Sequence, residues 1–395
     1  MFTSDHDEQI SQVLTTELLE RCRERAPQHD DDNTFPHQDL AELQRAGYLS
    51  AFAATEQGGL DWHMDTVSAA QRRLAAAAPA TALAVNMHLV WNGVARILAD
   101  RGDESLQFIL KESVRGEIFA FGISEPGNDE VLFDSMTTAT PDGSGGYTFT
   151  GTKIFTSLSP VWTRLGIFGK TPDGDQLVFG ILDRDAGGTA ADPSSWDMLG
   201  MRATQSYATR LNEAQVPAER IIRRIPAGPN QDGLTFGIFA SFLTLIASVY
   251  TGIADRALHL AVDGADQRIL SSTGRAFSQD PVTRDRLGEA TLRAIGLDAQ
   301  LTQVTHAIAT AKNWGAEWFP RLVTTKTLAV RVAQQQVDTA MQVVGGQGFH
   351  RRHELSRLYR DVRAGGFHPS NEDSARRTLA TFVLGPLRDD ADDQS

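Results

Sequence analysis

Imidazole and hydroxyl side chains are the main candidates for chemistry in this sequence. His88 lies in an Ala-rich stretch with helical spacing, and His368 immediately precedes Pro369. An imidazole can donate a hydrogen bond and can move protons near neutral pH. Ser124 and Ser157 lie in β-type stretches and carry hydroxyls that can bond to a polar ligand. Because an isolated histidine or serine is more often structural, their interpretation depends on the elements that hold them.

Three blocks of different pattern divide the chain. Residues from about 8 to 118 have helical spacing, and residues from about 118 to 222 form short β-type runs with a hairpin connector at 141–146. Residues from about 232 onward form long helical segments, and four helices of this kind predict an antiparallel bundle. The sequence therefore predicts an α+β protein with an N-terminal helical domain (1–117), a central β-barrel or β-sandwich domain (118–228), a C-terminal four-helix bundle (229–386) and a disordered acidic tail (387–395).

Individual elements are also predicted within these blocks. Pro27 is expected to end a first amphipathic helix over 9–25, and a β-type stretch is expected over 199–216. The long helices of the last block are expected at 234–269, 285–314 and 318–344, with a shorter helix from about 370.

Composition narrows the class of protein. The chain has 395 residues, with 37 Lys and Arg against 50 Asp and Glu, so its formal net charge is −13. This charge disfavours non-specific nucleic-acid binding, which depends on cations that neutralise phosphates. Cys22 is the single cysteine, so no intrachain disulfide can form and cytoplasmic residence is expected. The polar N-terminus differs from a signal peptide, the apolar run 236–250 is shorter than the roughly 20 residues that span a bilayer, and no His or Cys spacing predicts a metal site.

Five motifs occur in the order found in the acyl-CoA dehydrogenase superfamily, which the chain resembles over about residues 35–385. In chain order they are the loop EQGGL (56–60), the flavin-facing strand FGISEPG (121–127), the second flavin-facing strand GTKIFTS (151–157), the turn LGMRAT (199–204), and the stretch QVVGGQGF (342–349) followed by LYRD (358–361). Each motif is weak alone, but together they match the helix–sheet–helix pattern. The resemblance implies this fold and a bound flavin, FAD or FMN, in a homotetramer or homodimer.

The resemblance also assigns flavin-binding roles to particular residues. Ser124 and Ser157 would bond to the polar rim of the isoalloxazine ring, and Phe155 would lie against the ring. In the family, the Gly-Gly segment lets the backbone approach the dinucleotide of a neighbouring subunit, which suits glycine because it has no Cβ. The full implied set is Phe121, Ile123, Ser124, Phe155, Ser157, Arg275, Phe277, Gln342, Gly345, Gly346 and Asn371.

The carboxylate base of a family dehydrogenase is missing from both positions where the resemblance would place it. The first position, nine residues after Arg360, holds Pro369. The second position, ten residues before Gly252, holds Phe242, and Leu243 replaces the arginine that usually follows it. A dehydrogenase needs such a base to remove a proton from the substrate carbon. The sequence therefore lacks, at both of these positions, the carboxylate that the usual dehydrogenase reaction needs.

Glu372 and Asp373 lie close by in sequence and could replace the base. A competing interpretation makes Ser370 the N-cap of a helix, with Asp373 three residues later in a capping-box arrangement. One alternative function is therefore an acyl-CoA or acyl-carrier-protein dehydrogenase with a relocated base. Another is a non-catalytic flavin- or ligand-binding relative. The segment Asn128-Asp129 also departs from the Ala-Gly-Ser-Asp of typical members.

His88 and His368 match histidine positions of family members that resemble dibenzothiophene monooxygenase, although Asn92 stands where those carry a tyrosine. In these members reduced flavin and O₂ form a C4a-hydroperoxide, which needs a dry site with hydrogen-bond donors. The resemblance implies a monooxygenase that hydroxylates or N-oxygenates a small organic molecule, with His88, His368 and Ser157 as catalytic residues. Because no GxGxxG follows a strand, no NAD(P)H site is predicted, and a separate flavin reductase is expected to supply reduced flavin.

Overall fold

The N-terminal part of the chain is helical, as predicted, in a computed structural model that describes residues 6–128 and 130–387. Its helices are α1 (Asp7–Val13), α2 (Thr16–Asp32), α3 (His37–Arg45), α4 (Met64–Ala77), α5 (Pro79–Ala99) and α6 (Gln107–Val114). The single helix predicted over 9–25 is wrong in its bounds. Thr15 caps a new helix there, because its Oγ1 accepts a hydrogen bond from Leu18 N at 3.3 Å. Pro27 lies inside α2 and does not end it.

One mixed sheet joins the two helical parts of the chain. Its strands are β1 (Phe119–Gly122), β2 (Thr138–Pro141), β3 (Tyr147–Thr156), β4 (Arg164–Lys170), β5 (Gln176–Asp183), β6 (Thr189–Asp192), β7 (Tyr207–Val216) and β8 (Ile221–Pro226). The strand order is β6-β7-β3-β2-β4-β5-β8, and β1 pairs in parallel with β4. The predicted hairpin is confirmed, because β2 and β3 pair antiparallel across the 141–146 connector.

The first half of the predicted strand over 199–216 is a turn. Met201 and Gln205 adopt left-handed backbone conformations, and a short 3₁₀ helix lies between them. A contact from the last part of the chain holds this turn, because the Asp361 carboxylate accepts a hydrogen bond from Met201 N at 2.6 Å. This long-range contact outweighs the local β preference of the sequence.

The C-terminal part is the expected bundle of long helices. They are α7 (Gly233–Gln267), α8 (Pro281–Ala309), α9 (Trp318–Val344), α10 (Glu354–Asp361) and α11 (Glu372–Leu384). The acidic-tail prediction for 387–395 lies outside the described residues except at Leu387. By length and composition α5 and α7 could each cross a membrane, but 89% and 83% of their apolar windows are buried inside the protein. They are the central helices of the core.

Helix α7 organises the site, because it packs against α4, α5, α8 and α9. Helix α5 packs on β1, and Phe121 of β1 stacks on Phe242 of α7, so the first sheet strand lies against both helical parts. After α10, a short 3₁₀ helix at Val362–Gly366 leads into residues 367–371, which connect it to α11. This connecting segment carries His368 and Pro369 to the side of α7.

Candidate active site

An apolar pocket lies where β1, the segment after it, α7 and Pro369 meet. Its lining residues are Phe121, Ile123, Ser124, Val131, Leu132, Ile238, Phe239, Phe242 and Pro369. Phe242 and Pro369, the two positions from which the sequence lacks a base, therefore face the same space. None of these lining residues is charged, and Ser124 supplies the polar side chain among them. A proton-removing carboxylate is absent from this described lining.

Interlocked aromatic rings form one wall of the pocket. Phe121 stacks on Phe242 with ring centroids 5.4 Å apart and 16° between the planes, and Trp91 lies 5.6 Å from Phe121. The Trp91 indole N–H donates to the carbonyl of Ala120 at 3.1 Å. Gly166 makes room for the indole, because a Cβ there would lie 2.2 Å from its ring carbons. Packing of this kind fixes the ring positions and excludes water.

His368 lies beside the pocket and keeps one ring nitrogen open. Its Nε2 is 2.9 Å from the hydroxyl of Tyr250 on α7, whereas no described residue bonds to its Nδ1. Burial and, to a smaller extent, the positive charge of the Lys326 ammonium together lower the pKa of His368 to about 3. The ring is therefore neutral at physiological pH and can offer one N–H to a ligand.

His88 uses both of its ring nitrogens to join backbone segments. Its Nδ1 accepts from Phe119 N at 3.1 Å, so its Nε2 must carry the hydrogen, which it donates to the carbonyl of Leu49 at 2.7 Å. Burial lowers the pKa of His88 to about 4. Asn92, which lies one turn later on α5, bonds back to the His88 carbonyl at 2.9 Å. With both nitrogens engaged, this geometry gives His88 a structural contact between α5 and β1.

Ser157 ends a chain of three buried hydroxyls. Its Oγ lies 2.7 Å from Ser206 Oγ, which in turn lies 2.8 Å from Thr204 Oγ1. Three hydroxyls with two mutual bonds have one hydrogen left over. Thr204 is 1% exposed and has no other acceptor among the described residues, so a chain that donates toward Ser157 is the favoured arrangement. Ser157 can then donate one hydrogen bond outward.

Phe155 and Ser124 form the surface next to Ser157. Phe155 is 50% exposed and has a left-handed backbone, φ 56°, where the register of β3 and β7 shifts. Its ring meets Trp196 edge to face, with centroids 6.5 Å apart. Ser124 joins this surface to the pocket, because its carbonyl accepts from Ile154 N at 2.9 Å and its side chain lines the pocket.

Except for Asn371, which caps α11, the remaining predicted flavin residues form a second group at the far end of α7. The Arg268 guanidinium lies 3.9 Å from the Phe277 ring and donates to the carbonyl of Val343 at 3.3 Å. Gly345 has φ 74°, and a Cβ there would lie 2.9 Å from Arg268 Nη1. This group therefore brings Phe277 and the glycine pair together. Arg275, Gln342 and Gly346 are exposed at the same end of the bundle.

Glu372 and Asp373 lie outside the pocket. Asn371, and not Ser370 as predicted, caps α11, because its Oδ1 accepts from Ser374 N at 2.9 Å. Glu372 pairs with Arg331 at 2.6 Å and also with Arg376, and these cations hold the pKa of its carboxyl below the usual range. Asp373 is exposed, with 83% of its side chain accessible. Neither carboxyl lines the space between Phe242 and Pro369.

Two motif acids have structural partners that spacing alone did not reveal. Glu125 is buried and pairs with Lys153 at 2.7 Å, and Lys153 also donates to the carbonyl of Phe168. Asp361 holds the 199–206 turn through Met201, and burial raises the pKa of Asp361 to about 6. A charged residue inside a β-type run, such as Lys153, is the sequence signal that could have predicted the first pair.

The helix–sheet–bundle fold is that of an acyl-CoA dehydrogenase-type protein, and the described lining of its pocket contains no carboxylate. Residues 244–372 match the family described as acyl-CoA dehydrogenase, C-terminal domain. The amino sugar nitrososynthase RubN8 of Streptomyces rubradiris is 30% identical over 95% of this chain and 90% of its own length. The dibenzothiophene monooxygenase of Rhodococcus qingshengii is 27% identical over 89% of this chain and 88% of its own length.

A solved structure of KijD3 in complex with FMN and dTDP-3-amino-2,3,6-trideoxy-4-keto-3-methyl-D-glucose has the same fold. It is 26% identical, with a TM-score of 0.85 over 98% of this chain and 96% of that chain. The chain belongs to the acyl-CoA dehydrogenase superfamily, and it is a flavin-dependent oxidoreductase related to nitrososynthases and dibenzothiophene monooxygenase.

The residues present fit a flavin. An isoalloxazine ring needs a flat apolar surface and polar groups at its rim, and Phe155 with the donor at Ser157 supplies both. A flavin phosphate needs cations and close backbone approach, and Arg268 with Gly345 supplies these at the other end of α7. The donor set therefore suits both the ring and the phosphate of the cofactor.

Proposed function

We propose that this protein is a monooxygenase that uses reduced flavin and O₂ to oxygenate a small organic molecule. The observation that carries the proposal is that Phe242 and Pro369 occupy both base positions and line one apolar pocket. Bound reduced flavin supplies the electrons that activate O₂. The protein then has to exclude water and supply hydrogen-bond donors, and it does not have to remove a carbon-bound proton.

Two side chains are proposed to supply those donors. Ser157 donates outward at the end of its hydroxyl chain, and His368 offers its open Nδ1. A preorganised donor in a dry site stabilises developing negative charge on oxygen more strongly than a donor in water does. The aromatic wall around Phe121 keeps water out of the adjacent pocket. His88 is proposed to position β1 against α5 and not to touch the reacting atoms.

The pocket favours an uncharged, largely apolar substrate. RubN8 is named for amino sugars, and KijD3 was solved with a dTDP-linked amino sugar. A ligand of that kind carries charges that need polar partners, because an unpaired buried charge is costly. The lining around Phe239 and Phe242 offers rings, as the wall of a site for a flat apolar molecule would. We therefore favour oxygenation of a heteroaromatic compound over N-oxygenation of an amino sugar nucleotide.

The remaining components follow from the same proposal. FMN is favoured over FAD, because the KijD3 complex contains FMN. A separate flavin reductase is proposed to supply the reduced flavin, and a second copy of the chain is proposed to complete the phosphate site. A cytoplasmic location is proposed, because the single cysteine, Cys22, is a buried thiol.

The test supplies the purified protein with enzymatically reduced FMN, ¹⁸O₂ and a panel of uncharged heteroaromatic compounds that includes indole and benzothiophene. Incorporation of one labelled oxygen atom into a product supports the proposal. In a parallel anaerobic sample, bleaching of oxidised FAD by butyryl-CoA would instead identify a dehydrogenase. Flavin binding without either reaction would identify a non-catalytic relative.

A further inference from the structure

Tyr250 bonds to the nitrogen of His368 that faces α7. The Tyr250 side chain is fully buried, and its hydroxyl lies 2.9 Å from His368 Nε2. No other described residue bonds to this hydroxyl. Burial holds the pKa of Tyr250 far above its usual value, so the hydroxyl keeps its hydrogen. This hydrogen needs an acceptor, and Nε2 is the one within reach.

The direction of this hydrogen bond decides where the imidazole carries its own hydrogen. If Nε2 carried the hydrogen, it would donate to the Tyr250 oxygen, and the Tyr250 hydrogen would be buried without an acceptor. A buried donor without an acceptor is destabilising, so this arrangement is disfavoured. If Tyr250 donates to Nε2, the hydrogen of the neutral ring must lie on Nδ1. Nδ1 is the nitrogen of His368 that the described residues leave open.

Lys326 fixes the backbone on either side of His368. This lysine is 2% exposed, and its ammonium donates to the carbonyls of Gly365 at 3.0 Å, His368 at 2.9 Å and Ser370 at 2.9 Å. All three of its N–H donors are thereby used. These three bonds fix the backbone that places the His368 ring opposite Tyr250.

Gly365 allows the same segment to approach α7 and α9 closely. A Cβ at Gly365 would lie 2.9 Å from Tyr250 Cε1 and 2.8 Å from Val330 Cγ1. Real Cβ atoms do not make contacts this short, so only glycine permits this packing. Tyr250 and Lys326 thus hold the His368 segment from two helices of the bundle.

We propose that Tyr250 and Lys326 are positioning residues that hold His368 as the tautomer with its hydrogen on Nδ1. His368 then acts as a fixed hydrogen-bond donor toward the flavin site and not as a proton shuttle that alternates between its nitrogens. The role in oxygenation rests on the function proposed above, but the tautomer is a property of this chain by itself.

The test records ring ¹⁵N spectra of histidine-labelled protein at neutral pH, with the His368→Asn variant to assign the His368 signals. We expect a protonated Nδ1 and an unprotonated Nε2 in the wild-type protein. In Tyr250→Phe the ring should populate both tautomers, because Nε2 loses its donor. Product formed per O₂ consumed should then fall about three- to tenfold, the range that a lost hydrogen bond of about 1 kcal/mol gives. The matched control is Tyr48→Phe, whose buried hydroxyl bonds to Gln71 at 2.8 Å, away from the site.

A wild-type spectrum with the hydrogen on Nε2 would overturn the proposal by itself, even if Tyr250→Phe failed to fold. An unchanged tautomer in a folded Tyr250→Phe protein would do the same. If the tautomer is as expected but no substrate is oxygenated, the proposed function fails and the positioning of His368 stands. Equal losses of product yield in Tyr48→Phe and Tyr250→Phe would show a general effect on folding and would also contradict the specific role of Tyr250.

Discussion

Under the proposed function, Phe242 and Pro369 are two single residues that change the chemistry of a shared fold. A carboxylate at either position would face an apolar space, where an unpaired charge is costly and a carboxyl group tends to take up a proton. Such a group suits proton abstraction from a bound substrate. A carboxylate here would also accept hydrogen bonds from nearby donors, which would then be less able to stabilise a reduced oxygen species. The stacked ring of Phe242 instead keeps the lining of this space apolar.

The Phe242→Glu variant should therefore lose oxygenation. The new carboxyl would lie against Phe121 and bring water or negative charge into the pocket, at a cost of about 1–3 kcal/mol. We expect product per O₂ consumed to fall about tenfold or more, with the oxygen recovered as hydrogen peroxide. Phe242→Leu is the control, since it keeps the position apolar and should retain most of the yield. A Phe242→Glu enzyme with normal yield would contradict the proposed role of the apolar lining.

Substitutions of His368 and His88 should have different effects on coupling and on stability. The His368→Ala variant removes the open donor at the site and also the acceptor of the buried Tyr250 hydroxyl, so we expect several-fold more uncoupled hydrogen peroxide together with some loss of stability. His88→Gln removes a ring that bridges Phe119 and Leu49. It should lower the free energy of unfolding by about 1–3 kcal/mol and leave coupling near normal. Peroxide assays measure coupling and urea unfolding measures stability in both variants. Uncoupling in His88→Gln with normal coupling in His368→Ala would assign the chemistry to His88.

His88 should also make the folded state sensitive to acid. Burial lowers its pKa from 6.5 to about 4, so between these values the unfolded chain binds a proton that the folded protein does not bind. The free energy of unfolding should therefore fall as the pH drops below about 6.5, by about 1.4 kcal/mol per pH unit. Between pH 7 and pH 5, His88→Gln should lose about 2 kcal/mol less than the wild type in urea titrations. Equal losses in the two proteins would mean that His88 titrates normally in the folded state.

At the scale of elements, the turn 199–206 and the end of α10 form one joint between the sheet and the bundle. The Asp361 carboxylate holds Met201 N, and Arg360 pairs with Asp30 on α2. Gly200 lies so close to α10 that a Cβ there would be 2.4 Å from the Arg360 carbonyl. The atoms that this Cβ would meet belong to the backbone of Arg360 and Asp361, so no flexible side chain could move away to make room.

The Gly200→Ala variant should therefore lower the free energy of unfolding by about 1–3 kcal/mol, the usual cost of overpacking. Gly296→Ala is a matched control within α8, because a Cβ at Gly296 meets nothing within 4 Å. This control should be neutral or stabilising by up to about 1 kcal/mol, since alanine favours helix over glycine. Thermal and urea unfolding measure both changes, and a harmless Gly200→Ala substitution would show that the joint can open.

The sequence predicted elements well where the information is local and poorly where distant contacts decide. The long helices and the β2–β3 hairpin follow from periodicity and turn residues, and the structure confirms them. The local pattern predicted a strand at 199–206, whereas the resemblance of LGMRAT to a family turn agreed with the structure, in which Asp361 holds this turn from far along the chain. Asn371 replaced Ser370 as the cap of α11 because the helix begins one residue later than the spacing suggested.

In the candidate site, too, features set by local sequence could be predicted, and features set by distant contacts could not. Phe242 and Pro369 could be located from the sequence because each is counted from a motif, and both line the pocket. Tyr250 and Lys326 could not, because their contacts to the His368 segment cross large distances in sequence. The two hydrogen bonds of the His88 ring could not be predicted from the sequence either, because its partners are backbone groups of two other segments.

At the scale of the whole molecule, the two groups of predicted flavin residues lie far apart within one copy of the chain. Phe242 lines the pocket near the start of α7, whereas Phe277 and Gly345 lie beyond its end. The 25 residue-to-residue steps from Phe242 to Gln267 extend about 38 Å at the helical rise of 1.5 Å per residue. This length exceeds that of a flavin, so one bound cofactor cannot contact both groups of the same chain.

A second copy could bring the two groups together. Phe349 and Phe367 are 82% and 81% exposed in the single chain, and large exposed rings commonly mark protein contacts. If the ring site of one copy meets the phosphate site of another, each complete site takes Ser157 from one chain and Gly345 with Arg275 from its partner. The arrangement predicts that damage to the two groups can be complemented between copies.

Co-expression of Ser157→Ala and Arg275→Glu chains should restore part of the activity that each variant lacks alone. A mixed dimer contains one site with both substitutions and one site with neither, because the intact Ser157 and the intact Arg275 lie on different chains. When the two chains are equally abundant and associate without preference, about half of the dimers are mixed, and half of the sites in a mixed dimer are intact. About a quarter of all sites should therefore be intact. Differently tagged chains, purified in tandem, would allow flavin content and oxygenation to be measured on the mixed species alone. Sites contained within single chains would give no restoration, because every site would then carry one of the two defects.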